Sequence, residues 1–172
     1  GGGEQYSKGV GVLAGTNYGG TVMNSYTTGE VKGERYVGGL VGHNYAGAIK
    51  DSYSDVNVTG GTYTGGLVGY NFGTVERSYS LGKVSGDSYV GGLIGYTDTS
   101  GDVEDSFWDT ETSGMDSSSG GTGLTTEEMQ NLTTFDDAGW DITAVGAGET
   151  DLDHTWNIFD GETYPFLSWE DA

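Results

Sequence analysis

Oxygen-bearing side chains at regular offsets offer the first chemistry in this chain. Asp109, Glu111 and Ser113 stand at relative positions 1, 3 and 5 of a run whose sixth residue is Gly114 and whose eighth is Asp116. That order is how a calcium loop turns its ligands around a hard cation. The bidentate acid such loops carry at position 12 is missing, because Gly120 stands there, so a solvated acidic loop with a Ser-Gly turn competes with the metal site. Paired carboxylates could hydrolyse a glycosidic bond, but Glu30, Glu34, Asp51, Asp55, Glu76 and Asp87 are scattered and define no cleft. Ser25, Ser52, Ser78 and Ser106 each precede an aromatic residue. No histidine recurs beside them as a base, so they read as small inward or turn residues rather than nucleophiles. The expectation is a non-catalytic chain without a cofactor, with Ca2+ as the one candidate ion.

Composition narrows the choice further. The 172 residues hold 34 glycines, one proline and no cysteine, which points away from long helices, in which each glycine costs ~1 kcal/mol relative to alanine, and excludes disulfides and thiolate metal sites. All six basic residues fall within residues 1–96 beside seven acids, whereas the remaining 76 residues carry 19 acids and no base. A net charge of −20 repels phosphate backbones and anionic lipid, so nucleic acid is not an expected partner. Adaptation to high salt, as in a halophilic source, would account for the acidity, although the nearly neutral first part argues for shielding there. No apolar run is long enough for membrane insertion and no leader is visible, so a mature or excised chain is expected.

What must position these residues is a repeat. Val37-Gly-Gly-Leu-Val-Gly42, Thr64-Gly-Gly-Leu-Val-Gly69 and Val90-Gly-Gly-Leu-Ile-Gly95 are nearly one phrase, with a fainter copy at Val10-Gly-Val-Leu-Ala-Gly15. Leu13, Leu40, Leu67 and Leu93 follow one another at 27, 27 and 26 residues. A fixed period of this length means stacked units that bury their apolar face only against each other. Each unit holds three strand-length apolar clusters separated by turn residues. The spacing predicts an all-β fold, a short parallel β-solenoid of about four 26–27-residue coils, with coils ~4.8 Å apart; a β-prism or a sandwich of glycine-rich hairpins is the alternative.

Several positions keep the same step. Leu40, Leu67 and Leu93 should stack in adjacent coils, as should Asn17, Asn44 and Asn71, whose amides can bond one another and the local turn. Tyr36, Tyr63 and Tyr89 form a further ladder, either stacked aromatic packing or a strip for glycan binding or self-association. Asn57-Val-Thr59 and Asn131-Leu-Thr133 are glycosylation sequons compatible with a secreted protein.

The period stops after Phe107, dividing the chain into a repeat region, 1–107, and an acidic segment, 108–172, that holds all four tryptophans. This segment is expected to be an irregular cap over the exposed end of the solenoid. One short helix is expected in it, starting at the capping box Thr125-Thr-Glu-Glu128 and ending near Leu132, with a staple between Leu124 and Met129. Trp156–Phe159 and Tyr164–Trp169 look like strands flanking the turn Asp160-Gly161.

The phrase Gly65 to Asn71, followed by Gly73 to Tyr79 and Gly82 to Gly86, resembles the GLUG motif, found in repeat regions of large secreted bacterial and archaeal surface proteins, including adhesin-like chains and regions attached to immunoglobulin A peptidases. The resemblance covers residues 9 to 107, and the segment after Phe107 resembles the one that often ends such repeat blocks. It implies an extracellular or cell-surface location, a β-rich structural or adhesive role as an adhesin region or filament subunit, and no catalytic residues. A glycan-binding module using the tyrosine ladder is the rival reading, and a polysaccharide-active enzyme a remote one. Expected partners are a cell-surface glycan or protein and other copies of the chain, the latter through the open edge near residues 1–9 and more strongly at high ionic strength.

Overall fold

The computed structural model describes residues 9–170. Its repeat part is a three-sided parallel β-solenoid of four coils: 9–35, 36–62, 63–88 and one beginning at Tyr89. The first sheet stacks Val10–Gly11, Arg35–Gly38, Thr62–Gly65 and Ser88–Gly91. The second is built on the long strands Val41–Lys50 and Val68–Glu76, flanked by Ala14–Tyr18 and Thr21–Met23 on one side and by Ile94–Thr97 and Asp102–Glu104 on the other. The third runs through Tyr26–Lys32, Tyr53–Thr59, Tyr79–Ser80 with Val84–Ser85, and Phe107–Asp109. Every repeat pairing is parallel and couples equivalent residues, as in Val41 with Val68 and Asn44 with Asn71.

Alternation along each strand sends one set of side chains into the coil. Leu40, Leu67 and Leu93 are wholly buried with Val41, Val68, Ile94, Ile49 and Val75. They lie in adjacent coils, since Leu40 N donates to Leu67 O and Leu67 N to Leu93 O, each at 2.9 Å. Leu13, in the outermost coil, is 49% exposed. The glycines beside these leucines are set by clearance: a Cβ on Gly66 would fall 2.2 Å from Gly92 O and 2.7 Å from Ser80 Oγ.

The step from 27 to 26 residues has a local origin. The register between the two long strands slips between Tyr45 and Ala48. Coil 2 spends Ala46 and Gly47 where coil 3 spends only Gly73, and Ala46 takes the left-handed φ of 53° typical of a bulge. The next corner turns through Asn24, Asp51, Arg77 and Asp105, all left-handed with φ of 44–49°. Asn and Asp tolerate this region best; Arg77 is held there by two hydrogen bonds to Asp51, at 2.9 and 3.1 Å.

Beyond Asp109 the structure differs from a simple end cap. Residues 115–124 do close the end. Gly92 N donates to Ser117 O, Leu93 N and Ile94 N reach Ser118 Oγ, and Thr97 N reaches Ser119 Oγ. Thr122–Leu124 adds a last parallel strand on Phe107–Asp109, and Trp108 covers the core end. The rest, however, lies along the flank of the third sheet. Its strands Ile142–Ala144, Trp156–Ile158 and Phe166–Leu167 form a small mixed sheet. The side chains of Met129, Phe135, Trp140 and Trp156 pack on Tyr53, Tyr79 and Phe107. Among the described residues three short helices occur instead of one: Thr110–Ser113, Thr126–Met129 and Leu132–Asp136. The expected helix does begin at Thr125 with both capping-box bonds, but it stops at Met129, and Asn131 caps a separate turn of helix.

Candidate functional site

The outer corner between the first and second sheets carries a set of aromatic side chains outside the core. In the first sheet Tyr36, Tyr63 and Tyr89 stack at 5.2 and 4.9 Å, each with a left-handed φ of 50–61°. A bulky residue takes this conformation only when its surroundings hold it, and here stacking and the neighbouring column do so. That neighbour is His43, Tyr70 and Tyr96, whose rings meet the tyrosines edge to face at 5.2–5.5 Å for Tyr36–Tyr70, Tyr63–Tyr70 and Tyr89–Tyr96. Alternation then buries Asn44 and returns Tyr45 to the outside, where Tyr18, Tyr45 and Phe72 stack at 5.0 and 5.1 Å. The second and third columns were missed in the sequence. Their signal stands inside the repeated phrase, as His43, Tyr70 and Tyr96 directly after Gly42, Gly69 and Gly95.

The geometry limits what these rings can do. Stacking along the solenoid axis covers both faces of Tyr63, by Tyr36 and Tyr89, and both faces of Tyr36, by Tyr63 and by His43 at 5.2 Å. A pyranose stacks on a ring face, so of the three tyrosines only Tyr89, 55% exposed and with one stacked neighbour, keeps a face for it. Elsewhere the flank presents ring edges and hydroxyls, with Arg35 over Tyr36 and Tyr63 at 4.9 and 5.6 Å. Burial and a 2.8 Å hydrogen bond to Asp98 push the Tyr70 phenol well above its ordinary range, and the same bond lowers the Asp98 carboxyl. Burial lowers the His43 imidazole, whose Nε2 has no hydrogen-bond partner among the described residues.

The polar ladders are structural in geometry. Asn17 Nδ2 donates to Asn44 Oδ1 and Asn44 Nδ2 to Asn71 Oδ1, both at 3.0 Å. The same amides also reach the turn carbonyls of Gly20, Gly47 and Asp102. The serines form a parallel chain: Ser25 N, Ser52 N and Ser78 N each donate at 3.2 Å to the serine hydroxyl of the next coil. Each hydroxyl of Ser52, Ser78 and Ser106 donates in turn to a carbonyl two residues back, so these three have no base as their hydrogen-bond acceptor.

The candidate calcium ligands are not brought together. Asp109 is wholly buried. Its Oδ1 accepts from the N–H groups of Glu111 and Thr112, and its Oδ2 from the hydroxyls of Thr126 and Tyr164. Burial pushes this carboxyl up, but the four hydrogen bonds outweigh it and hold it below the usual carboxylate range; Tyr164 is pushed up to about 12 by burial and by the same contact. Glu111 accepts from Thr126 N, Ser113 Oγ accepts from Met115 N, and Asp116 is exposed. The run that resembles a metal loop is thus a capped helical turn ending at left-handed Gly114. Among the described residues no cluster of three His, Cys, Asp or Glu could hold a metal. Asn57 lies exposed on a third-sheet strand and Asn131 is exposed at its helix cap.

Along the opposite flank the indoles act as clamps. Trp140 Nε1 donates to Asp105 O, Trp156 Nε1 to Asp51 Oδ1 and Trp169 Nε1 to Asn24 O. Three of the four left-handed corner residues are thereby tied to one segment. Tyr53 OH reaches Glu170 at 2.8 Å and Tyr79 OH reaches Pro165 O.

Comparison with known proteins agrees with this coil geometry. The model of the GLUG motif matches residues 33–59 and 60–85. The two central coils are thus similar to GLUG repeats. The third copy of the phrase, at Val90 to Gly95, stacks on the second GLUG repeat in register, Ile94 pairing with Val68. A protein of Evansella cellulosilytica named "Putative Gly-rich membrane protein" is 42% identical over 53 residues, which is 31% of this chain and 6% of that relative. No solved structure matches.

Proposed function

We propose that this chain is a non-catalytic structural and adhesive module of an extracellular surface protein, with the GLUG solenoid as a stiff body and the aromatic flank as its contact face. The observation that carries the reading is the nine-ring surface of three axial columns, because tyrosine-rich surfaces supply contact area at low entropic cost. The serines, the asparagines and Asp109, the polar groups the sequence offers for chemistry, are engaged in ladders and caps. The similar protein is named as a membrane protein, and an envelope setting is the one in which such a module would act. No helix among the described residues is long and apolar enough to cross a membrane.

Self-association fits less simply than the repeat suggests. Head-to-tail filaments need an open end on both sides, and residues 115–124 cover one of them. Glycan binding through ring faces is confined, within the first-sheet column, to Tyr89. The test is binding of the full chain to a glycan array and to protein-coated surfaces, alongside Tyr45→Ser and Tyr89→Ser. The adhesive reading expects binding that both substitutions weaken while the chain stays folded, as read by tryptophan fluorescence. Glycan binding lost on Tyr89→Ser alone would favour the rival module, and no binding to either kind of surface would refute adhesion.

A further inference from the structure

The end of the solenoid at coil 1 exposes apolar side chains that the inner coils bury. Five of the exposed large apolar residues, Val12, Leu13, Tyr18, Met23 and Tyr26, belong to this coil, and Leu13 is half exposed where Leu40, Leu67 and Leu93 are fully buried. Among the described residues the strands of coil 1 pair only with coil 2, and none pairs with their other edges.

The polar ladders give this end a sign. Each Asn Nδ2 donates toward the next coil, so the Oδ1 of Asn44 and of Asn71 accepts from the coil before. The Oγ of Ser52 likewise accepts from Ser25 N, and Leu40 O accepts from Leu13 N at 3.1 Å. In coil 1 the corresponding acceptors are Asn17 Oδ1, Ser25 Oγ and Leu13 O, and no described residue donates to any of them. Whatever covers the end must therefore supply an amide donor and two N–H donors at the spacing of the leucine, asparagine and serine of one repeat.

We infer that this face docks one further parallel coil of the same repeat type, continuing the coil–coil interface already present, and does not dock a second copy of this chain. In a second copy the counterparts in coil 4 do not match: Leu93 N is already bonded to Ser118 Oγ, and Thr97, which pairs with Asn71, carries no amide donor. Two copies meeting by their coil 1 ends would bring acceptors and reversed strands to each other. Gly1–Lys8 lie outside the described residues. The inference rests on the coil–coil geometry and is independent of the adhesive role.

The test fuses a second copy of residues 36–62 directly before Gly9 in place of Gly1–Lys8, which keeps the repeat in phase because Gly9 is the equivalent of Tyr36. Amide hydrogen exchange in residues 10–32 should slow by about tenfold or more, and Tm should rise relative to a fusion with the same 27 residues in scrambled order. Asn44→Asp within the added copy removes its donor and should abolish both gains, while buried-tryptophan fluorescence reports that the remainder is folded. Unchanged exchange in the in-phase fusion would overturn the inference. So would a parent chain that dimerises at micromolar concentration with residues 10–32 protected in the dimer, since that assigns the face to a second copy.

Discussion

Replacing Asn44 by alanine should be far more costly than the same change at Asn17, although both belong to one ladder. Asn44 is wholly buried. Its Nδ2 serves Asn71 Oδ1 at 3.0 Å and Gly47 O at 3.2 Å, and its Oδ1 accepts from Asn17 at 3.0 Å. Removal deletes about three hydrogen bonds, each worth about 1 kcal/mol net, and leaves a buried carbonyl without its amide partner, which adds about 1–3 kcal/mol. Asn71 Oδ1 keeps the N–H of Gly73 and Asn17 Nδ2 keeps Gly20 O, so the sum lies near the lower bound, about 3–4 kcal/mol. For Asn17, half-buried in the end coil, water replaces what is lost and about 1 kcal/mol is expected. Urea unfolding followed by tryptophan fluorescence measures both, and at ~2–4 °C per kcal/mol for a chain of this size the melting temperatures should differ by ~5–10 °C. Equal losses at the two positions, or an Asn44→Ala change within ~0.5 kcal/mol of the parent, would refute the view that the amide ladder is a buried, stability-bearing network.

Gly66→Ala should destabilise by about 2–3 kcal/mol or more in the same assay, since the new methyl meets backbone and the Ser80 hydroxyl rather than a flexible side chain. The lowered His43 makes the folded chain favour the neutral ring; its contribution is therefore complete above the unfolded value of 6.5 and is lost as pH falls from there through the lowered pKa. His43→Tyr, which copies Tyr70 and Tyr96, should flatten that part of the stability–pH curve and, by restoring a ring pair, add about 0.5–1 kcal/mol at neutral pH. Asp109 has the same sign at lower pH, its depressed carboxyl supporting the fold above the unfolded carboxylate range and failing as pH falls through the folded pKa. Asp109→Asn should cost about 1–3 kcal/mol at neutral pH, whereas calcium and a chelator at fixed ionic strength should leave the melting temperature unchanged, because both carboxylate oxygens already have donors.

The repeat was legible in the sequence because the solenoid copies one local environment four times. Leu40, Leu67 and Leu93 recur because each fills the same slot, and the asparagines because each amide completes the next. The capping box at Thr125 was legible for a similar reason, since its partners lie within three residues. Even the single-residue slip in period is local, absorbed by the bulge at Ala46. What the linear pattern could not give is which faces meet across large separations. Asp109 to Asp116 has the spacing of a calcium loop, but Asp109 caps its own helical turn through Oδ1, and its Oδ2 is taken by Thr126 and by Tyr164, 55 residues away. The acidic segment carries tryptophans that would suit an end cap. Only the tertiary structure sets Trp140, Trp156 and Trp169 against Asp105, Asp51 and Asn24, where burial of the tyrosine column of the third sheet favours a clamp along the flank. The period thus determined the coils, and long-range burial decided which end was closed, which flank was covered, and which aromatic columns remained in contact with water.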